Sequence, residues 1–352
     1  MINRRTFGKA MGLGTGAAAA SLAGLQDVSS AAPTAPASAA APGTPGTPGR
    51  HTSFPSLKQV KAGLLNVGYA ELGPAHGPVV ICLHGWPYDI HSYVDVAPLL
   101  AARGYRVIVP YLRGHGTTRF LSSRTFRNGQ QSVIALDIIA LMDALEIHNA
   151  VIAGFDWGSR TGDILAVLWP ERVKALVSVS GYLITDRKAQ LEPLPAAAEH
   201  TWWYQFYFAT ERGRKAMEDQ DHRLQLTRLV WELVSPTWKF DDATFARTAA
   251  AFENPDYAAI VIHNYRWRLS VADGERRYDR YEEKLAMTPS IAVPTITVDP
   301  EKDPFTLPGN GSTYRARFTG KYEHRTLTGV GHNVPQEAPV AFAQAVVDAD
   351  RL

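Results

Sequence analysis

Gly154-Phe155-Asp156-Trp157-Gly158 decides how this chain folds. The apolar run Ala150-Val151-Ile152-Ala153 leads into it, and Ser159-Arg160-Thr161-Gly162 leads away into a helical stretch. Two glycines around one side chain predict a strand-to-helix turn so tight that its central residue is held exposed above the sheet. A further helical stretch comes before the strand, with Ile134, Ile138, Leu141 and Leu145 on one face. The central residue is a carboxylate. It is suited to displacing a leaving group from saturated carbon, which leaves an alkyl ester on the protein for water to cleave.

A second turn lies upstream, where Val79-Val80-Ile81-Cys82-Leu83 reads as a central strand running into His84-Gly85-Trp86-Pro87. Such a turn can aim the Trp86 backbone N–H, together with that of Trp157, at an oxygen that becomes negative during ester hydrolysis. A cis Trp86-Pro87 peptide suits a tight turn here. Downstream, a strand over 323–328 precedes Gly329-Val330-Gly331-His332-Asn333, and a helix is predicted from about Pro335 to the C-terminus. His332 on this glycine-flanked turn is the candidate base. The strand Val293-Pro294-Thr295-Ile296-Thr297-Val298 runs into Asp299-Pro300-Glu301-Lys302-Asp303-Pro304. Asp303 is favoured as the acid that orients and charges His332, with Asp299 and Asp186 as its rivals.

On these motifs the chain resembles the α/β-hydrolase superfamily from about Ser56 to Leu352. The resemblance implies an α/β fold class: a mostly parallel central sheet flanked by helices, with an inserted helical cap. The order Asp156, Asp303, His332 is the nucleophile, acid, histidine order of that fold. Asp-Trp-Gly at the first turn and His-Gly-aromatic-Pro at the second are similar to epoxide hydrolases, with haloalkane dehalogenases close by. The amides of Trp86 and Trp157 then correspond to the oxyanion hole.

The segment 190–290 interrupts the α/β pattern and is rich in aromatic residues, as expected of the cap. Tyr204 in Trp203-Tyr204-Gln205-Phe206-Tyr207-Phe208 and Tyr265 in His263-Asn264-Tyr265-Arg266-Trp267 resemble the cap tyrosines of soluble epoxide hydrolases. In that role two phenols hydrogen-bond the epoxide oxygen and protonate the alkoxide as the ring opens. Tyr207, three residues from Tyr204, is the fallback for the first of them. The expected partners are an apolar or aromatic epoxide and water, giving a vicinal diol through a hydroxyalkyl ester. A haloalkane dehalogenase with the same Asp156, His332 and Asp303 is the alternative, its halide held by the Trp157 indole and a cap tryptophan such as Trp203 or Trp267. A non-catalytic ligand-binding protein on the same scaffold is the third reading. Arg160 stands where related fluoroacetate dehalogenases carry one of two arginines that hold the substrate carboxylate, but Trp157 occupies the other's place, so Arg160 reads as a buried structural arginine, and Arg266 reads as half of an ion pair. Tyr111 stands before Leu112-Arg113-Gly114, where such hydrolases commonly carry an aspartate.

With 352 residues, 45% of them hydrophobic and 20% charged, the chain can bury a large core. A formal charge of +2 suggests no nucleic-acid partner. No glycine-rich phosphate loop and no metal-type His or Cys cluster is apparent, so neither cofactor nor metal is implied. The single cysteine, Cys82, excludes an intrachain disulfide. Asn3-Arg4-Arg5-Thr6-Phe7-Gly8-Lys9 before a Gly- and Ala-rich run has the layout of a bacterial twin-arginine export signal. That run is too short and too glycine-rich for a stable membrane span. The expected organisation is a signal over 1–39, a disordered linker over 40–55, a hydrolase core over 56–189 and 291–352, and a cap over 190–290. The expected destination is periplasmic or extracellular.

Overall fold

The computed structural model describes residues 53–305 and 311–352. The expected export signal, and the expected linker up to residue 52, lie outside the described residues. Among the described residues nine strands form one sheet: β1 Lys58–Ala62, β2 Leu65–Leu72, β3 Val79–Leu83, β4 Arg106–Pro110, β5 Arg119–Phe120, β6 Ala150–Gly154, β7 Val173–Val179, β8 Thr295–Pro300 and β9 Tyr322–Leu327. Their order is β1-β2-β4-β3-β6-β7-β8-β9, with β5 paired to β2. From β4 to β9 every neighbour is parallel, whereas β1 and β2 are antiparallel. Strand β6 is buried at all five positions because helices cover both faces of the sheet, so its sequence shows no alternation. At the β9 edge, where one side faces solvent, Glu323 and Arg325 pair with each other.

Two helical layers do the covering. Helices α1 (Val96–Ala101) and α12 (Pro339–Ala349) pack together, as do α2 (Gln131–Ala144) and α3 (Trp157–Leu168). The predicted C-terminal helix is in fact two pieces, α11 (Val334–Glu337) and α12, with the break before Pro339. Proline has no N–H to continue the ladder and its fixed φ starts a new helix well. Between β7 and β8 the chain leaves the sheet and forms α4 Ala196–Thr201, α5 Trp203–Ala209, α6 Glu211–Glu218, α7 Gln220–Val234, α8 Asp242–Ala249, α9 Tyr257–Arg268 and α10 Asp279–Ala286.

These inserted helices are fastened to the core by polar contacts as well as apolar ones. The Trp231 indole donates to Pro87 O at 2.8 Å while its ring stacks on Tyr88 at 4.8 Å. The Asn264 amide donates to Gly129 O at 2.6 Å, and Gly129 N–H donates to His263 Nδ1 at 2.9 Å. Arg266 makes no ion pair among the described residues; it donates to the backbone carbonyls of Phe208 and Thr210, joining α9 to α5. That corrects the ion-pair expectation, and the reason is that the end of α5 presents free carbonyls.

The β6-to-α3 turn is held by close approach. A Cβ on Gly158 would lie 1.8 Å from Leu83 O, and one on Gly154 would lie 2.3 Å from the Gly158 carbonyl carbon. Only glycine lets the first turn of α3 sit against the ends of β3 and β6. Replacing Gly158 with Ala is expected to cost about 3 kcal/mol of stability, since backbone rather than a flexible side chain must move. Urea unfolding of the two proteins measures it.

Candidate active site

At that turn Asp156 has φ 52° and ψ −119°, a conformation that non-glycine residues rarely adopt. It lifts the carboxylate off the sheet. Gly85 faces it so closely that a Cβ there would be 2.5 Å from Asp156 Cβ. The facing turn, with its cis Trp86-Pro87 bond, directs the Trp86 N–H to Asp156 Oδ1 at 2.8 Å. His84 pins this turn from behind: Nε2 accepts from Leu112 N–H at 3.1 Å, so Nδ1 carries the proton toward Gly85 O at 2.9 Å. Trp157 opens α3, and the first N–H groups of a helix have no intrahelical acceptor. The Trp86 amide thus borders the Asp156 carboxylate, and the Trp157 amide follows it directly in the chain.

His332 comes from the loop after β9. Its Nε2 stands 3.7 Å from Asp156 Oδ2, and its Nδ1 is 2.7 Å from Asp303 Oδ2, which fixes the proton on Nδ1. Asp303 sits beyond the end of β8, and Lys302 N–H to Val330 O at 2.8 Å ties its loop to the histidine loop. Asp299 goes elsewhere: it accepts from Tyr314 OH at 2.6 Å and lies 3.8 Å from His324. Asp186 caps the turn at Lys188. Of the three candidate acids, only Asp303 meets His332.

The electrostatics follow from burial opposed by pairing. Burial pushes the Asp156 carboxyl up, but the His332 imidazole, the Arg160 charge and the Trp86 amide outweigh it and hold the group below the usual carboxylate range. Burial would depress His332, yet the charges and hydrogen bonds of Asp303 and Asp156 raise it to about 10. At neutral pH Asp156 therefore rests as a carboxylate opposite the His332 imidazolium. The Asp156 side chain keeps 16% of its surface exposed.

Tyr204 on α5 and Tyr265 on α9 meet edge to face with ring centroids 5.5 Å apart, and both rings lie against Trp86, at 5.2 and 5.3 Å. Burial, and then the neighbouring charges including Asp156, keep both phenols protonated by raising them above the usual phenol value. Tyr207 packs instead on Trp203 and Phe208. Among the ring contacts of the described residues, Trp203 meets Tyr204 and Tyr207, and Trp267 lies under Arg187.

Two residues absent from the sequence reading hold the histidine loop. Glu337 Oε2 accepts from Gly331 N–H at 2.7 Å, and its Oε1 accepts from Asn333 N–H at 3.1 Å and from Ser235 Oγ at 2.6 Å. The carboxylate clamps both sides of His332, while His332 N–H donates to Val234 O at the end of α7. A signal did exist, since Glu337 falls one helical turn after Asn333 at a helix start. Among the described residues no His, Cys, Asp or Glu cluster could hold a metal ion, and no helix is long and apolar enough to cross a membrane.

A pH window follows from the histidine. Its value rises on folding from the ordinary 6.5 to about 10, so the stability it contributes is complete below pH 6.5 and is lost as pH climbs toward 10. Urea unfolding of the native protein and His332→Gln across that range should show the difference between them shrinking as pH rises.

The model of the α/β hydrolase fold matches residues 78–339. A solved structure of a candidate epoxide hydrolase from Klebsiella pneumoniae is 58% identical, with TM-score 0.83, over 86% of this chain and 99% of that one. Epoxide hydrolase A of Mycobacterium tuberculosis is 24% identical over 84% of this chain and 97% of its own length. Epoxide hydrolase B of the same organism is 28% identical, but over only 46% of its length. The chain belongs to the α/β-hydrolase family and, within it, is a hydrolase of the epoxide hydrolase-like kind.

Proposed function

We propose that this hydrolase opens epoxides to vicinal diols through an ester on Asp156. The observation that carries the reading is the pair of buried phenols, Tyr204 and Tyr265, brought by two cap helices to the Trp86 side of the Asp156 carboxylate. An epoxide oxygen needs a proton as its C–O bond breaks, and two neutral phenols can supply it. The apolar, aromatic surroundings suit an apolar or aromatic epoxide.

In the first step Asp156 attacks a ring carbon, the C–O bond breaks, and the alkoxide takes a proton from a tyrosine. The ester carries no charge, so the imidazolium loses one of the two carboxylates that stabilised it. Its proton is then free to restore the phenol. Neutral His332, oriented by Asp303, takes a proton from water, and hydroxide adds to the ester carbonyl. The Trp86 and Trp157 amides hold the resulting oxyanion. Collapse releases the diol, with its second oxygen protonated by the carboxyl that forms, and leaves Asp156 ionised opposite imidazolium. That is the resting state. The base is thus blocked until the nucleophile has reacted.

One observation favours the dehalogenase alternative: the Trp157 indole N–H is buried without an acceptor. Of the cap tryptophans, Trp203 packs on Tyr204 and Tyr207, and Trp267 lies under Arg187. Intact-protein mass of His332→Gln after exposure to a mixed panel of epoxides and haloalkanes separates the two. The proposed chemistry requires an adduct of a whole epoxide mapping to Asp156; an adduct equal to a haloalkane less hydrogen halide would replace it with dehalogenation. Export by the twin-arginine route remains a proposal resting on Arg4 and Arg5. The Arg4→Lys, Arg5→Lys double variant should stay in the cytoplasm of a bacterial host while the native chain leaves it, as followed by fractionation.

A further inference from the structure

The helix that carries Tyr265 rests on one glycine of the core. Gly129 stands two residues before α2, and a Cβ there would be 2.6 Å from Ile260 O and 2.8 Å from Asn264 N, so the α9 backbone lies directly on it. Both backbone groups of Gly129 are taken by the two residues ahead of the tyrosine. The Asn264 amide donates to Gly129 O at 2.6 Å, and Gly129 N–H donates to His263 Nδ1 at 2.9 Å. Accepting that bond leaves Nδ1 without a proton. The proton is on Nε2, which donates to Asp273 O at 3.0 Å in the loop after α9. His263 is thus held as one neutral tautomer between two backbone groups, its ring edge to face with Phe126 at 4.9 Å.

Gly129 is itself a fixed point. Asn128 Oδ1 accepts from Gln130 N–H at 2.8 Å, and Gln130 Oε1 accepts from Glu275 N–H at 2.8 Å, which ties the segment before α2 to the loop after α9. Arg113 adds a bidentate pair to Asp137 on α2, at 2.6 and 2.7 Å. Helix α2 packs on α3, and α3 starts at the residue after Asp156. A continuous line of packed elements therefore runs from the nucleophile turn through α3, α2 and Gly129 to the phenol. Two residues are about 200° of turn in an α-helix, so His263 holds α9 from the side opposite Tyr265.

We propose that His263 is a positioning residue for Tyr265, its neutral imidazole clasping α9 to Gly129 and so setting where the phenol stands relative to Asp156. The proposal rests on the ring-opening reading above. A second proton on the ring would turn Nδ1 from acceptor to donor and aim it at the Gly129 N–H, leaving two donors face to face and a buried amide unpaired. The charged groups facing the imidazole are Arg113 from the turn after β4 and Glu275 from the loop after α9. Arg127, in the segment before Gly129, is paired with Asp256, and Arg266 on α9 is turned to the carbonyls of α5. Burial, helped by Arg113, holds the imidazole below its ordinary 6.5 against the Asp273 bond and the Glu275 charge. The clasp is complete above pH 6.5 and is lost as pH falls through that lowered value. Asp156 and His332 keep their neutral-pH charges there, since one is held below the usual carboxylate range and the other is raised to about 10.

Two measurements on the full chain test the clasp. Ester formation on Asp156 is timed by quenched intact-protein mass with styrene oxide, and amide hydrogen exchange is followed over α9 with the intrinsic pH dependence of exchange divided out. In the native protein both the rate of ester formation and the protection of α9 should fall as pH drops below 6.5. His263→Leu, which removes the acceptor, should form the ester about tenfold or more slowly at every pH, while hydrolysis of the ester keeps its native rate. His263→Asn, whose Oδ1 can accept from Gly129 N–H without titrating, should recover most of the rate and abolish the acid dependence of both readouts. A native profile flat in both readouts below 6.5, or an acid dependence that survives in His263→Asn, overturns the clasp. A Leu variant that slows ester formation and ester hydrolysis alike overturns it too, because a general loosening of the fold acts on both steps. Acid-dependent exchange of α9 that His263→Asn abolishes, with no ester from styrene oxide or any other epoxide of the mixed panel, would uphold the clasp and sink the ring-opening reading.

Discussion

The structure depends on one close approach, the first turn of α3 lying directly on the carbonyl end of β3. Gly158 allows it, with its Cα facing Leu83 O where no Cβ fits. Given that contact, the chain between β6 and α3 has no room to relax, and Asp156 is held at positive φ with its side chain pointing away from the sheet. Such strain costs on the order of 1–3 kcal/mol and persists only where the surroundings over-determine it. Here the surroundings are two parallel strands and a buried helix. The same contact sets the Gly85 turn against Asp156, so one packing event positions the carboxylate and the amide facing it.

Charge is layered around that point. Asp303, His332 and Asp156 alternate in sign, each stabilising the next, and the depressed carboxyl and elevated imidazole are two views of one interaction. A buried arrangement of this kind adds little net stability, because removing the charges from water offsets their mutual attraction. Its consequence is chemical: whatever neutralises Asp156 also lowers the affinity of His332 for its proton. In the proposed cycle that coupling orders the two steps without any moving part.

The cap is bound into this machinery and does more than cover it. The end of α7 accepts the His332 N–H at Val234 O, and Ser235 shares Glu337 with the backbone on either side of the histidine. Helices α5 and α9, joined through Arg266, carry the two phenols. The position of the cap helices and the orientation of the base are therefore set by a common group of hydrogen bonds. The aromatic richness of the cap divides accordingly, with Trp231 and Trp238 packing among Phe240 and Phe245 while Tyr204 and Tyr265 face Trp86.

The sequence by itself determined the fold class, through features that are local: glycine spacing around Asp156, an apolar run too continuous for a half-exposed strand, and turns after strands at 84–87 and 329–333. Steric rules at a tight turn act over a few residues, so they are written in a few residues. Strands β1 and β2 were not marked off, because their signal depends on pairing with distant segments. The sequence favoured Asp303 over Asp299 and Asp186, but which of them meets His332 took the tertiary structure, since Asp299 is held within β8 and the loop beyond that strand is tied to the histidine loop after β9. Ser235 was likewise invisible, for its partner Glu337 lies on another element about a hundred residues on, and a hydrogen bond across so long a separation leaves no periodic trace. Local stereochemistry fixed where reactive groups stand on their own elements, and only packing decided which of them meet.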